Sequence, residues 1–128
     1  MVNGTGVAIV VEDDYDVGEF LKLSLERKGY FVHVYSDVNI AETELVDAFP
    51  FDVAILDATC PDRSRRKEIS FGGFSGLDLA QRLQGLYPSA RIFCTSGYDL
   101  SDASSTRGVP FLQKPLTLND IDRMIGHR

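Results

Sequence analysis

Three carboxylates, a hydroxyl and an ammonium stand out in this 128-residue sequence, far apart from one another but each at the end of an apolar run. Glu12 and Asp13 follow Val7–Val11, and Asp57 follows Val53–Leu56. Ser96 with Gly97 follows Ile92–Thr95, and Lys114 with Pro115 follows Val109–Gln113. If these runs are strands of one open parallel sheet, the residues at their carboxyl ends share a single crevice. Carboxylates gathered there offer hard oxygen ligands to a divalent cation, and an ammonium and a hydroxyl beside them suit the oxygens of a phosphoryl group. No single piece is specific; the ordered set is.

The elements that must position these residues alternate along the chain. Val7–Val11 is a continuous apolar run, as expected of a strand buried on both faces. Val17, Phe20, Leu21, Ser24 and Leu25 then fall at helical spacing, and Gly29 stands where a left-handed cap would end that helix. Phe31–Tyr35 is rich in β-formers, and Asp37 can cap a second helix with Ile40, Ala41, Leu45 and Ala48 on its inner side, stopped by Pro50. Asp52–Leu56 predicts the third strand. Leu79, Ala80, Leu83 and Leu86 mark a third helix ended by Pro88. Ala90–Thr95 and Val109–Gln113 predict the last two strands, and Leu118, Ile121, Met124 and Ile125 a final short helix. Strands alternating with helices predict an α/β domain with helices on both faces of a parallel sheet.

Two stretches break the rhythm. The connection from Pro61 to Ser75 is long and contains the basic run Arg63-Ser-Arg-Arg-Lys67. The segment 99–108 should hold a fourth helix, yet Ser101, Asp102, Ser104, Ser105 and Thr106 are weak helix formers, so that helix is expected to be short or poorly ordered.

Composition narrows the classes. A content of 44% hydrophobic and 25% charged residues is that of a globular domain, and the apolar runs are too short to cross a membrane. The net charge of −6 argues against nonspecific nucleic-acid binding. Cys60 and Cys94 lack metal-ligand spacing and are expected to be free packing thiols of a cytoplasmic protein. Residues 1–6 carry neither a basic start nor a long apolar stretch, which predicts a flexible leader instead of a secretory signal, before a single domain filling the chain.

Taken in order, the acidic pair in VVEDD, the aspartate in VAILDATCP, the Ser-Gly in CTSGYD and the Lys-Pro in FLQKPL resemble the receiver domain of bacterial two-component response regulators. The resemblance covers nearly the whole chain, from about Val7 to about Ile125. The wording GGFSGLDLA and SGYD…FLQKP is most similar to receivers attached to hybrid histidine kinases and to their free-standing relatives. What the resemblance implies is a flavodoxin-like sandwich whose parallel sheet runs in the order 2-1-3-4-5. It implies that Asp57 accepts a phosphoryl group from a phosphohistidine on a histidine kinase or histidine phosphotransferase. Asp13 and Asp57 would bind Mg²⁺ directly, with the main-chain carbonyl of Thr59, and Glu12 would act mostly through a water. Lys114 would hold a phosphoryl oxygen, aimed inward by a cis bond to Pro115. Ser96 would be the switch hydroxyl, with Thr95 a nearby rival. Phe111 matches an aromatic switch position, or is an ordinary buried strand residue. Thr59 would tune the lifetime of the acyl phosphate, and Asp14 is the cap or a surface acid.

The pattern is departed from at 62–71, which is extra beside relatives that continue directly into Pro-Gly-Gly. It is either a solvated loop or a basic strip (Arg63, Arg65, Arg66, Lys67) that docks an acidic partner or screens the phosphoryl group. The expected protein is a phosphoacceptor without an attached output domain, not an enzyme in the turnover sense, monomeric or weakly dimeric, passing its state to a protein partner. The alternatives are a phosphorylation-independent interaction module or the receiver of a hybrid kinase. An aspartyl-nucleophile phosphatase would want a second acid where Thr59 stands, and a nucleotide binder would want a glycine-rich loop after the first strand.

Overall fold

In a computed structural model that describes residues 6–46, 50–60 and 75–126, the five apolar runs become strands of one parallel sheet. They are β1 (Gly6–Val11), β2 (Tyr30–Tyr35), β3 (Val53–Asp57), β4 (Arg91–Ser96) and β5 (Phe111–Gln113), and their spatial order is β2-β1-β3-β4-β5. Helices α1 (Tyr15–Glu26), α2 (Val38–Val46), α3 (Ser75–Leu86), α4 (Ser101–Thr106) and α5 (Leu118–Ile125) alternate with them. The expected leader at 1–6 and inserted loop at 62–71, with its four basic residues, lie almost wholly outside the described residues, which take in only Gly6.

Because side chains alternate across a strand, the sheet has two apolar faces and each needs a cover. Ala8, Val10, Val53 and Ile55 pack with Leu21 and Leu25 of α1 and Ile121, Met124 and Ile125 of α5. Ile9, Val11, Ala54, Leu56, Ile92 and Cys94 pack with Ala41 and Leu45 of α2 and Leu77, Ala80 and Leu83 of α3. Leu100 and Ala103, at α4, lie against the same side. Burying one such aliphatic side chain contributes about 1.5–3 kcal/mol, so the two layers carry most of the stability.

Several expected boundaries shift for local reasons. Asp57 and Ser96 are the last residues of their strands, one step further than the apolar runs indicate. β5 starts at Phe111 because Pro110 has no N–H to give to the ladder, although its carbonyl still accepts from Cys94 N at 2.8 Å. Ile40, Leu86 and Leu118 are exposed, not inward as expected. Ile40 lies off the stripe formed by Val38, Ala41 and Leu45, while Leu86 and Leu118 are the terminal residues of their helices. Gly29 has φ 95°, the left-handed conformation expected after α1. α4 is short, as its serines and threonine predicted, and Asp99 starts it by accepting from Ser101 N at 3.0 Å and Ser101 Oγ at 2.6 Å.

Polar contacts fasten the helices at the ends away from the acidic pair. Lys28 Nζ, just beyond α1, bonds Asp122 Oδ1 at 2.5 Å and the Gly126 carbonyl at 2.9 Å. Arg91 donates to the carbonyls of Met124 and Ile125 at 3.3 and 3.0 Å. α5 also has a reciprocal cap, in which Thr117 Oγ1 accepts from Asp120 N and Asp120 accepts from Thr117 N.

Candidate functional site

The carboxyl ends of β1, β3 and β5 bring together Glu12, Asp13, Asp57 and Lys114, residues that the sequence holds up to about a hundred positions apart. Asp57 ends β3 and is 6% exposed, with its two oxygens in different company. Oδ1 accepts from both Thr59 N and Thr59 Oγ1, each at 2.9 Å. Oδ2 faces Lys114 Nζ at 3.0 Å. Lys114 Nζ also lies 2.7 Å from Glu12 Oε1, so a single ammonium bridges two buried carboxylates. The Lys114–Pro115 bond is cis, as expected.

These contacts pull the acids apart electrostatically. Burial works against the charged form of Asp57, but the Thr59 N–H, Lys114 and the Thr59 hydroxyl outweigh it and hold the carboxyl below its ordinary value. Glu12 is 3% exposed, and burial dominates there, pushing its carboxyl up to about 7 despite Lys114 and the Asp14 N–H. Lys114 is raised: burial opposes its charge, but Glu12 and Asp57 more than compensate.

Asp13 is the exposed member of the cluster, and one carboxylate oxygen from each of Glu12, Asp13 and Asp57 lies within 4.8 Å of the others. An all-oxygen, acidic donor set of this size fits a hard divalent cation. Asp14, by contrast, caps α1 by accepting from Asp16 N and Val17 N. Gly18 and Gly76 are both buried, but only Gly76 is held against the acceptor loop. A Cβ there would lie 1.8 Å from the Asp57 carbonyl oxygen, and the Gly76 N–H donates to Ala58 O at 3.0 Å.

The two switch candidates lie on the other side of the sheet. Ser96 follows Cys94 on the face covered by α3 and α4, and its cross-strand row contains Phe111 two residues back. The Ser96 hydroxyl accepts from Tyr98 N at 3.0 Å, within its own loop, and Phe111 is half-buried against that face. Thr95 pairs directly with Asp57 and shares its face. A groove of about 450 Å³, lined by Val17, Phe20, Pro115 and Leu116, opens beside Lys114. Sequence reasoning did not find the double bond from Thr59 to Asp57, the Glu12–Lys114 pair or the close approach of Gly76. Only the last has a local signal, a glycine at the start of an apolar helix.

No protein-family model matches the chain. Among curated proteins it is 26% identical over 117 residues to the response regulator receiver protein CpdR of Brucella abortus, covering 88% of each. It is 28% identical over 123 residues to the response regulator protein PilR of Pseudomonas aeruginosa, covering 93% of this chain but 25% of PilR. A response regulator from Burkholderia pseudomallei, solved with a phosphorylated aspartic acid, calcium ion and citrate, superposes with TM-score 0.73 at 27% identity. That match covers 94% of this chain and 66% of the other. The non-phosphorylated HemR receiver domain of Leptospira biflexa gives 0.71 at 26% identity over 96% of both chains. In sequence and in fold alike, the chain resembles the response-regulator receiver domains, with their five-stranded 2-1-3-4-5 sheet.

Proposed function

We propose that this chain is the phosphoacceptor of a two-component phosphorelay, with Asp57 as the accepting residue. The observation that carries the reading is the asymmetry of the Asp57 carboxylate. Oδ1 is engaged by both Thr59 donors, which leaves Oδ2, beside Lys114, as the nucleophilic oxygen. Its carboxyl is held in the ionised form that a nucleophile needs. Oδ2 attacks phosphorus, the bond from phosphorus to the donor imidazole nitrogen breaks, and the imidazole leaves with that electron pair and takes up a proton.

Such transfer passes through a loose transition state, so the protein's part is positioning and neutralising charge. Lys114, already 3.0 Å from Oδ2, meets the incoming phosphoryl oxygens. Glu12, Asp13 and Asp57, with the Thr59 carbonyl, are the residues that would hold Mg²⁺, which when bound neutralises further phosphoryl charge. The Ser96 hydroxyl turns from Tyr98 N to the phosphoryl group, and Phe111, in the same cross-strand row, follows it. The groove beside Lys114 gives the histidine kinase or phosphotransferase an apolar place to dock. A downstream protein in the cytoplasm then reads the altered face.

The test is intact mass after incubation with acetyl phosphate and Mg²⁺. Wild type gains one phosphoryl group and Asp57→Ala gains none. A folded wild type that gains nothing would favour an interaction module that works without phosphorylation.

A further inference from the structure

Thr95 carries a hydroxyl where the fold asks for a methyl. It is wholly buried on β4, and its Oγ1 has no hydrogen-bond partner among the described residues. Valine would have the same shape without leaving a polar atom orphaned, and orphaned buried hydroxyls cost stability. The sheet register says which face this side chain leaves. Phe93 and Leu112 belong to the face covered by α1 and α5, and Thr95 is two residues on from Phe93 and directly paired with both Asp57 and Leu112. Lys114 is two residues on from Leu112, so its side chain leaves the same face on the diagonal from Thr95. Ser96, one step along β4, faces away from this row.

Lys114 has three ammonium protons; Nζ donates to Asp57 Oδ2 at 3.0 Å and lies 2.7 Å from Glu12 Oε1 as an ion pair. We propose that Thr95 is a positioning residue for the phosphoryl transfer, its Oγ1 accepting a Lys114 proton as the incoming phosphoryl group draws the ammonium off Asp57 Oδ2. This inference rests on the phosphoacceptor reading above. The hydroxyl is unpartnered in the resting state and partnered when the ammonium holds the phosphoryl oxygen. It therefore favours the second state selectively, as a group that assists a reaction must.

The experiment compares wild type, Thr95→Val and Thr95→Ser for thermal stability and for the rate of mass gain from acetyl phosphate with Mg²⁺. Thr95→Val is expected to melt at or above the wild-type temperature yet to be phosphorylated about tenfold more slowly, the size of one hydrogen bond to a charged group. Thr95→Ser, which keeps the hydroxyl, restores the rate whatever its stability. In a Lys114→Ala background, Thr95→Val adds no further loss, because the hydroxyl acts through the ammonium. Equal rates for wild type and Thr95→Val overturn the proposal, as does a serine variant as slow as the valine one. If valine prevents folding, Thr95→Ala is read against Thr95→Ser in the same way. A wild type that takes up no phosphoryl group removes the phosphoacceptor reading and this inference with it, whereas a phosphorylated wild type with indifferent variants removes this inference alone.

Discussion

Helices α4 and α5 lie on either side of β5 in the chain and are held in opposite ways. α5 inserts Ile121, Met124 and Ile125 into the core, starts on a reciprocal cap at Thr117, and ends where Lys28 and Arg91 bind its last carbonyls and Asp122. α4 has six residues, most of them serine or threonine, and buries the Ser104 hydroxyl with no partner among the described residues. The fastenings at its margins include the Asp99 bonds to Ser101, an Arg107–Asp78 ion pair to α3, and Gln84 Nε2 on the Gly108 carbonyl at 3.0 Å. The difference teaches where this molecule can yield. α5 would have to give up core and polar contacts together, whereas α4 opposes its own orphaned hydroxyl with little apolar burial. α4 also follows directly on the Ser96 loop.

The contrast can be broken by substitution. The largest effect is expected from Ile121→Ala, which empties a fully buried site in α5 and should lower stability by about 2–5 kcal/mol in chemical denaturation. Lys28→Met keeps the aliphatic stem but takes the ammonium from Asp122 and the Gly126 carbonyl, with an expected loss of about 1–2 kcal/mol in the same assay. Thr117→Ala removes the cap and should cost about 1 kcal/mol, with faster amide exchange confined to the first turn of α5. Ser104→Ala is the smallest change and has the opposite sign. It should stabilise by roughly 0.5 kcal/mol or slightly more, since it removes the orphan and adds a better helix former. Amide exchange across 101–107 should slow accordingly. A destabilised Ser104→Ala, or equal exchange in the two helices of the unsubstituted protein, would erase the distinction.

Much of this was legible before the structure, for reasons that differ from residue to residue. The strands announced themselves because a parallel sheet buried on both faces needs unbroken apolar runs such as Val7–Val11. The convergence of the candidate residues was legible because parallel strands deliver their carboxyl ends to one edge, where Asp57 and Lys114 both stand. The pairings inside the site were not legible. Lys114 could have met any of the carboxylates, and only the packed geometry gives it Glu12 and Asp57 together. The Lys28–Asp122 contact joins residues 94 positions apart with no periodic signal. The cap on α5 escaped notice because its third helical position holds Asp120 where the usual pattern has Glu or Gln. Ile40 was placed inward on hydrophobicity alone, although it stands about a hundred degrees from the stripe that α2 buries.

The missing side chain of Gly76 has a mechanical consequence. The first turn of α3 and the Asp57 carbonyl occupy adjoining space so closely that not even a methyl group fits between them, and the N–H groups of Gly76 and Leu77 both close on the Ala58 carbonyl. The end of β3 and the start of α3 are thus held in direct contact, and any side chain at position 76 would drive them apart. A displacement of the amino end of α3 toward β3 would therefore press directly on the Asp57 backbone.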